Sequence, residues 1–428
     1  MTADKHLVNL LRRPGRALPG VSACCAVLLV GAFASPTSSP PELPGWTSEL
    51  APEVLAELRP LAGEAALDAD VPGPTTEVAL AVAEGAGLEI STVEVPRSRA
   101  DAVVDLLDTL PAVEASSVPS TMRTLRGGAV PARSPDPLRP QQWGLDALAA
   151  ESFRLRANGT PVVAVVDSGV AAYHQDLRTV VLPGADMTSS GGDGRRDSNG
   201  HGTHVAGIAG AAIANGLGGE GLARLRVLPV KALGADGTGS TTAIARGVVW
   251  AADNGADVVN LSLGGPVRDD VLERAIAYAV SQDVVVVAAM GNEGSGSPTY
   301  YPAAYPDVLA VAAVGKDLRR APYSSTGAHA DLAAPGTAIV STVVGDGDDY
   351  GAKSGTSMAA PYVAAAAAVL VSTVPGASAR QVADALTSTA RDLGAVGRDA
   401  ETGYGLVDPA AALTALEEAT GRAPRTCR

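Results

Sequence analysis

Val162-Val163-Ala164-Val165-Val166-Asp167-Ser168-Gly169 is the stretch on which the fold turns. Its first five residues are all apolar, so they cannot alternate between a wet face and a dry one. Such a run suits a strand buried on both faces, as in parallel sheets covered by helices. The run ends on a carboxylate, and in open α/β sheets sites form at the carboxyl ends of strands. Val-rich runs recur at Arg226–Val230, Asp257–Ser262, Val284–Ala289 and Val308–Val314. Helical patterns lie between them, including Thr241–Asn254 and Asp270–Gln282. Strands alternating with helices predict right-handed crossovers and an α/β fold of three layers, with a mostly parallel central sheet.

Two further segments add chemistry. Asn199-Gly200-His201-Gly202-Thr203-His204-Val205-Ala206-Gly207 opens a small-residue helix predicted over His201–Ala212. Gly355-Thr356-Ser357-Met358-Ala359-Ala360-Pro361 leads into the most apolar helix of the chain, Met358–Val374. A serine hydroxyl is a poor nucleophile at neutral pH. It needs a base to take its proton, and the base needs an anion to fix its tautomer and stabilise its charged form. Asp167, a histidine and Ser357 supply these roles in the order Asp, His, Ser. On the residues alone both His201 and His204 qualify as the base. A metal pair at this spacing would lack the glutamate of His-Glu-x-x-His. Gly355 permits close backbone approach, and the Ser357 N–H sits at the positive end of a helix dipole. His6, His174 and His329 have no motif around them and default to the surface.

The three segments resemble the Asp, His and Ser signatures of the subtilisin-like serine proteases, the subtilases, whose chain order they share. The resemblance spans roughly residues 138 to 415. Within the subtilases it points to actinobacterial secreted members and to the mycosins, which are tied to a secretion system. It implies a serine endopeptidase that needs no catalytic cofactor, with His201 as base and Asp167 as its orienting carboxylate. Ala289-Met290-Gly291-Asn292-Glu293-Gly294 resembles the segment carrying the family's oxyanion asparagine, here Asn292. Ser262, Leu263, Gly264 and Gly265 resemble the cleft wall that pairs with substrate backbone, a β-augmentation mode. Ala288, Ala289, Met290 and Gly291 resemble the facing wall, and Tyr300 falls at the base of the pocket for the residue before the scissile bond. A phenol there shortens that pocket. The resemblance also implies a structural Ca²⁺ held by Asp176, Asn215 and the backbone of Ile213, Leu217 and Gly219. The family's glutamine ligand is not matched: Arg139 stands at its place, with Gln141 and Gln142 nearby.

The rest of the chain sets bounds. Of 428 residues 46% are hydrophobic, too apolar for disorder, and only 3% are aromatic, so the core is built of small aliphatics. A formal net charge of −14 repels phosphate backbones and argues against nucleic acid. Residues 1–34 read as a secretory signal, with Lys5, Arg12, Arg13 and Arg16 before an apolar run that ends at Ala32-Phe33-Ala34. That run is short for a membrane span, and the chain ends without an apolar run, so no stable membrane anchor is expected. Residues 35–75 read as linker and propeptide start. Residues 76–130 read as a small α/β propeptide domain that would inhibit the enzyme, residues 131–137 as a cleavable linker, residues 138–420 as the catalytic domain and 421–428 as a tail. The whole stretch 119–137 has little apolar periodicity and is expected to be exposed. Of the three cysteines, Cys24, Cys25 and Cys427, the first two fall in the signal, so no internal disulfide is expected in a mature monomer. A non-catalytic binding module on the same scaffold is the competing class, but such modules usually lack a triad member. Protein or peptide substrates are the expected partners.

Overall fold

Every residue of Val308–Val314 is buried, which requires cover on both faces of the sheet that contains it. The computed structural model supplies that cover. It describes residues 47, 50–58, 74–84, 87–124, 130–131, 138–188 and 192–422. The expected signal and all three cysteines lie outside the described residues. From Glu42 onward the chain forms one compact unit.

The first elements are α1 (Pro52–Leu58), β1 (Thr75–Glu84), β2 (Gly87–Pro96), α2 (Ala100–Leu107) and β3 (Val113–Ser117). They make an antiparallel sheet of order β2-β1-β3. Strand β1 shows why this unit is not free-standing. Val78, Leu80 and Val82 point into a small core with Val54, Leu58, Val103 and Leu107. Ala79 and Ala81, on the opposite face by the two-residue period of a strand, join the main core of the protein.

Two short strands follow, β4 (Thr121–Thr124) and β5 (Val130–Pro131), then α3 (Trp143–Ala147) and α4 (Ala150–Arg156). The central layer comprises β6 (Val162–Asp167), β7 (Ala185–Asp186), β8 (Arg226–Lys231), β10 (Val258–Leu261), β12 (Val285–Ala289), β13 (Val308–Val314) and β14 (Leu332–Pro335). Its order is β14-β13-β12-β10-β6-β8-β7, and every pairing is parallel. Between these strands come α5 (His201–Gly210), β9 (Thr238–Ser240), α6 (Thr241–Asp253), β11 (Leu263–Gly264) and α7 (Asp270–Ser281). After them come β15 (Ile339–Thr342), β16 (Tyr350–Lys353), α8 (Thr356–Thr373), α9 (Ala379–Ser388) and α10 (Pro409–Ala419).

Helices α5 and α8 pack on each other and on the sheet, and α6 and α7 form a second such pair. The first antiparallel sheet docks on α6 and α7: Arg246 Nε donates to the Ile90 carbonyl at 3.0 Å and Ser117 Oγ to Asp269 Oδ1 at 3.0 Å. Helix α8 is long and apolar enough to cross a membrane, yet nearly all of it is buried in the core. Its run of alanines, Ala364–Ala368, lets it lie close against the strands.

The expectation of an exposed 119–137 segment fails at its start. Residues Thr121–Thr124 form a strand between β9 and β11, with Met122 and Thr124 buried. Four residues with one apolar side chain carry too little period to announce a strand, and both pairing partners come from distant sequence.

Candidate active site

Asp167 closes β6, between β8 and β10, with no solvent exposure. His201 opens α5. Its Nδ1 lies 2.8 Å from Asp167 Oδ1 and 2.9 Å from Oδ2. An ionised carboxylate only accepts, so this contact puts the proton on Nδ1 and leaves Nε2 as the acceptor. Close approach is bought by Gly202: a Cβ there would stand 2.2 Å from the Gly169 carbonyl oxygen and 3.1 Å from Asp167 Cβ. Asp167 Oδ1 also accepts the Ser168 N–H at 2.7 Å.

The position of α5 is set by Asp197, which the sequence reading missed. Its Oδ1 accepts from Ser168 Oγ, Asn199 N–H and Gly200 N–H, and its Oδ2 from Thr203 N–H and Oγ1, at 2.6–3.0 Å. A carboxylate that satisfies the orphan donors of a helix start and favours its dipole is a capping device. The Asp197-Ser-Asn-Gly-His order was the available signal.

Ser357 lies in the first turn of α8, buried beside the cleft wall. Its Oγ donates to the Ser262 carbonyl at 3.0 Å, and Ser262 Oγ donates to the Ser357 carbonyl at 2.9 Å. Asn292 is oriented by Thr356. The Thr356 N–H and Oγ1 donate to Asn292 Oδ1 at 2.9 and 3.1 Å. With Oδ1 committed as acceptor, the buried Nδ2 donor of Asn292 has no partner among the described residues. Nor does buried Nε2 of His201. A buried donor and a buried acceptor left without partners, on segments that pack against α8, are what a ligand-binding site requires. The structure does not show a Ser357–His201 hydrogen bond; the serine hydroxyl is turned to Ser262.

The residues expected to form the cleft wall lie in a three-stranded sheet, β11-β4-β9. Leu263 pairs with Thr124 and Gly264 with Arg123. Met122 pairs with Gly239 on the other side, and the Thr124 N–H donates to the Gly237 carbonyl at 2.9 Å. Gly265 bridges to Tyr301. Ala288, Ala289 and Met290 are fully or almost fully buried at the end of β12. Tyr300 is buried too, and a Cβ on Gly291 would lie 3.2 Å from its ring. Its hydroxyl donates to Glu293 Oε1 at 3.2 Å and accepts from Arg123 Nη2 at 3.3 Å.

Geometry separates the two histidines. His204 Nε2 donates to the Gly351 carbonyl at 3.0 Å, which commits that nitrogen to holding β16. His174 is buried, against the surface expectation: its Nδ1 accepts the Asp176 N–H at 3.2 Å and its ring meets Tyr350 edge-on. Asp176 has no exposure and no ion-pair partner among the described residues. It accepts from Asn215 Nδ2, Tyr350 O–H and Gly219 N–H at 2.7, 2.7 and 3.1 Å. Arg139 does not turn to Asp176. It pairs with Asp146 and Glu151, while Gln142 brackets Glu220, donating to its carbonyl and accepting its N–H.

Comparison with known proteins places this geometry. Residues 158–405 match the subtilase family. Subtilisin DY of Bacillus licheniformis is 43% identical over 258 residues, which is 59% of this chain and 92% of that protein. Subtilisin of Bacillus pumilus is 45% identical over 236 residues, 54% of this chain and 84% of that one. The crystal structure of fervidolysin from Fervidobacterium pennivorans, a keratinolytic enzyme related to subtilisin, matches with a TM-score of 0.69 at 28% identity, over 81% of this chain and 62% of that one.

The buried histidines give a pH prediction. Burial holds the His204 imidazole well below its ordinary value of 6.5, helped by the nearby charge of Lys353, and burial also lowers His174. Below about pH 6.5 the unfolded chain takes up protons that the folded chain refuses, so stability is lost as pH falls. Calorimetry should show a melting temperature that drops from pH 8 to pH 5, and a shallower drop for His204→Gln. Equal slopes in the two proteins would remove His204 from the explanation.

Proposed function

The chain belongs to the subtilase family, and on that premise we propose that it is a secreted serine endopeptidase, made as a precursor that it processes itself. The observation that carries the catalytic reading is the buried Asp167–His201 contact at the start of α5, which packs on the α8 that carries Ser357, with Asn292 Nδ2 left as a donor. Ser357 Oγ rotates from the Ser262 carbonyl toward His201 Nε2, which takes its proton as the oxygen attacks a peptide carbonyl. Asp167 holds the imidazole in the required tautomer and stabilises the imidazolium. The oxyanion is held by Asn292 Nδ2 and the Ser357 N–H. Both donors are already fixed, so they need no reorganisation as charge develops. His201 then protonates the leaving amine, and water completes hydrolysis by the reverse sequence.

Residues 46–130 act in this reading as folding aid and inhibitor, and residues 1–34 direct export. Support comes from β4, which lies antiparallel in the strand position that an extended substrate would take. Tyr300, packed over Gly291, shortens the pocket for the residue before the scissile bond and favours small or medium apolar side chains there. A peptide library tests the assignment at once. The wild type should cut after such residues, and Ser357→Ala should neither cut nor release its own first segment. Turnover by Ser357→Ala would contradict the nucleophile; a clear preference for Phe or Tyr before the cut would contradict the pocket.

Calcium is the remaining family trait. A buried carboxylate without a cationic partner fits a bound cation, since buried charges are ordinarily paired or ligate metals. Asn215 lies against it on a Gly-rich loop, with Nδ2 toward Asp176 and Oδ1 accepting the Leu217 N–H at 2.8 Å, so its amide would have to turn to ligate an ion. Among the described residues no group of three acidic, His or Cys side chains gathers there, so the remaining oxygens must be the carbonyls of Ile213, Leu217 and Gly219. The ion would supply stability by binding only the folded chain. A melting temperature higher in calcium than in chelator is expected; no shift, with no calcium in the purified protein, would remove the ion.

A further inference from the structure

Strand β4 shows how this cleft reads a peptide, and one of its contacts belongs to no catalytic group. Met122 points inward and is 1% exposed. Arg123, its neighbour in the strand, pairs with Gly264 and sends Nη2 to Glu293 Oε1 and to the Tyr300 hydroxyl. The Tyr300 hydroxyl in turn donates to the same Glu293 oxygen. Glu293 follows Asn292 directly, so the acidic group stands beside the reacting centre. A cavity of about 330 Å³ opens here, lined by Arg123, Asn292, Glu293 and a second carboxylate, Asp236.

We propose that Glu293, braced by Tyr300, selects substrates with a cationic side chain at the position that pairs with Gly264, next to an apolar residue at the Met122 position. This rests on the endopeptidase reading and adds its specificity. Arg123 and Glu293 keep side-chain exposures of 59% and 44%, so their attraction is modest and salt-sensitive. Discrimination is a difference, however: a carboxylate at the Arg123 position meets Glu293 and Asp236 as repulsion. The register also sets the cut. Thr124 pairs with Leu263, and the preceding Ser262 carbonyl is 3.0 Å from Ser357 Oγ. A peptide in this register presents the residue one past the Thr124 position to the serine.

The test uses the purified enzyme and two synthetic decapeptides. One carries the sequence of residues 119–128, Pro-Ser-Thr-Met-Arg-Thr-Leu-Arg-Gly-Gly; the other has Glu in place of its first Arg. The ratio of their kcat/KM values is measured in the wild type and in Glu293→Arg, with the products identified by mass. The wild type should favour the Arg peptide by about fivefold or more at low salt and cut after its Leu, and Glu293→Arg should invert the preference. The same ratio in both enzymes, or a wild type indifferent to the change, overturns the inference. If an unrelated peptide anilide is still hydrolysed in that case, the endopeptidase reading survives. If neither decapeptide nor the anilide is cut, that reading falls and takes the inference with it.

Discussion

The contact between Asp167 and His201 is the constraint around which the rest is arranged. A carboxylate with no solvent exposure costs several kcal/mol unless its lone pairs are filled and its charge is answered. Here the filling is done by the His201 ring and the Ser168 N–H. The first of these demands that the end of β6 and the start of α5 meet within hydrogen-bond distance. Gly202 makes the approach sterically allowed, and Asp197 ties the helix start to Ser168.

The same economy governs the other half of the site. Thr356 donates its N–H to Asn292 Oδ1 and has its hydroxyl within reach of the same oxygen and of the Gly291 carbonyl, which turns the amide nitrogen of Asn292 the other way. The Ser262 carbonyl accepts a hydrogen bond from the Ser357 hydroxyl while its own hydroxyl donates to the Ser357 carbonyl, so the end of β10 and the start of α8 are one unit. Strand β4 completes the cleft wall by filling the gap between β9 and β11. The first antiparallel sheet is held on α6 and α7 by its Ala79 and Ala81 face and by Arg246. Docking of the small domain and occupation of the cleft therefore reinforce each other along one continuous chain.

Much of this was legible in the residues. The Val-rich runs place all the long strands of the central sheet, because burial on both faces leaves a composition signal that does not depend on partners. The chemical segments around Asp167, His201 and Ser357 announce themselves by residue type and order. What stayed hidden depends on distant pairing. Strand β4 has four residues and borrows its order from β9 and β11. Burial of His174 follows from Tyr350, which lies far away in sequence. The residues alone left His201 and His204 both open as base and only the resemblance chose between them; in the structure the difference is which ring faces Asp167 and which faces the Gly351 carbonyl. The exposed Arg123–Glu293 pair joins a stretch read as an exposed linker to the segment read as carrying the oxyanion asparagine, and neither reading pointed to the other.

The central claim is that a buried carboxylate fixes the histidine that activates Ser357, and Asp167→Asn tests it most directly. An amide keeps the shape but donates to Nδ1 or turns its oxygen there without charge, so the tautomer and the imidazolium both lose support. The measurement is kcat for a peptide substrate, with the circular dichroism spectrum and melting curve recorded alongside. The expected result is a folded protein whose turnover falls by roughly four orders of magnitude. A folded Asp167→Asn protein with turnover near that of the wild type would contradict the claim.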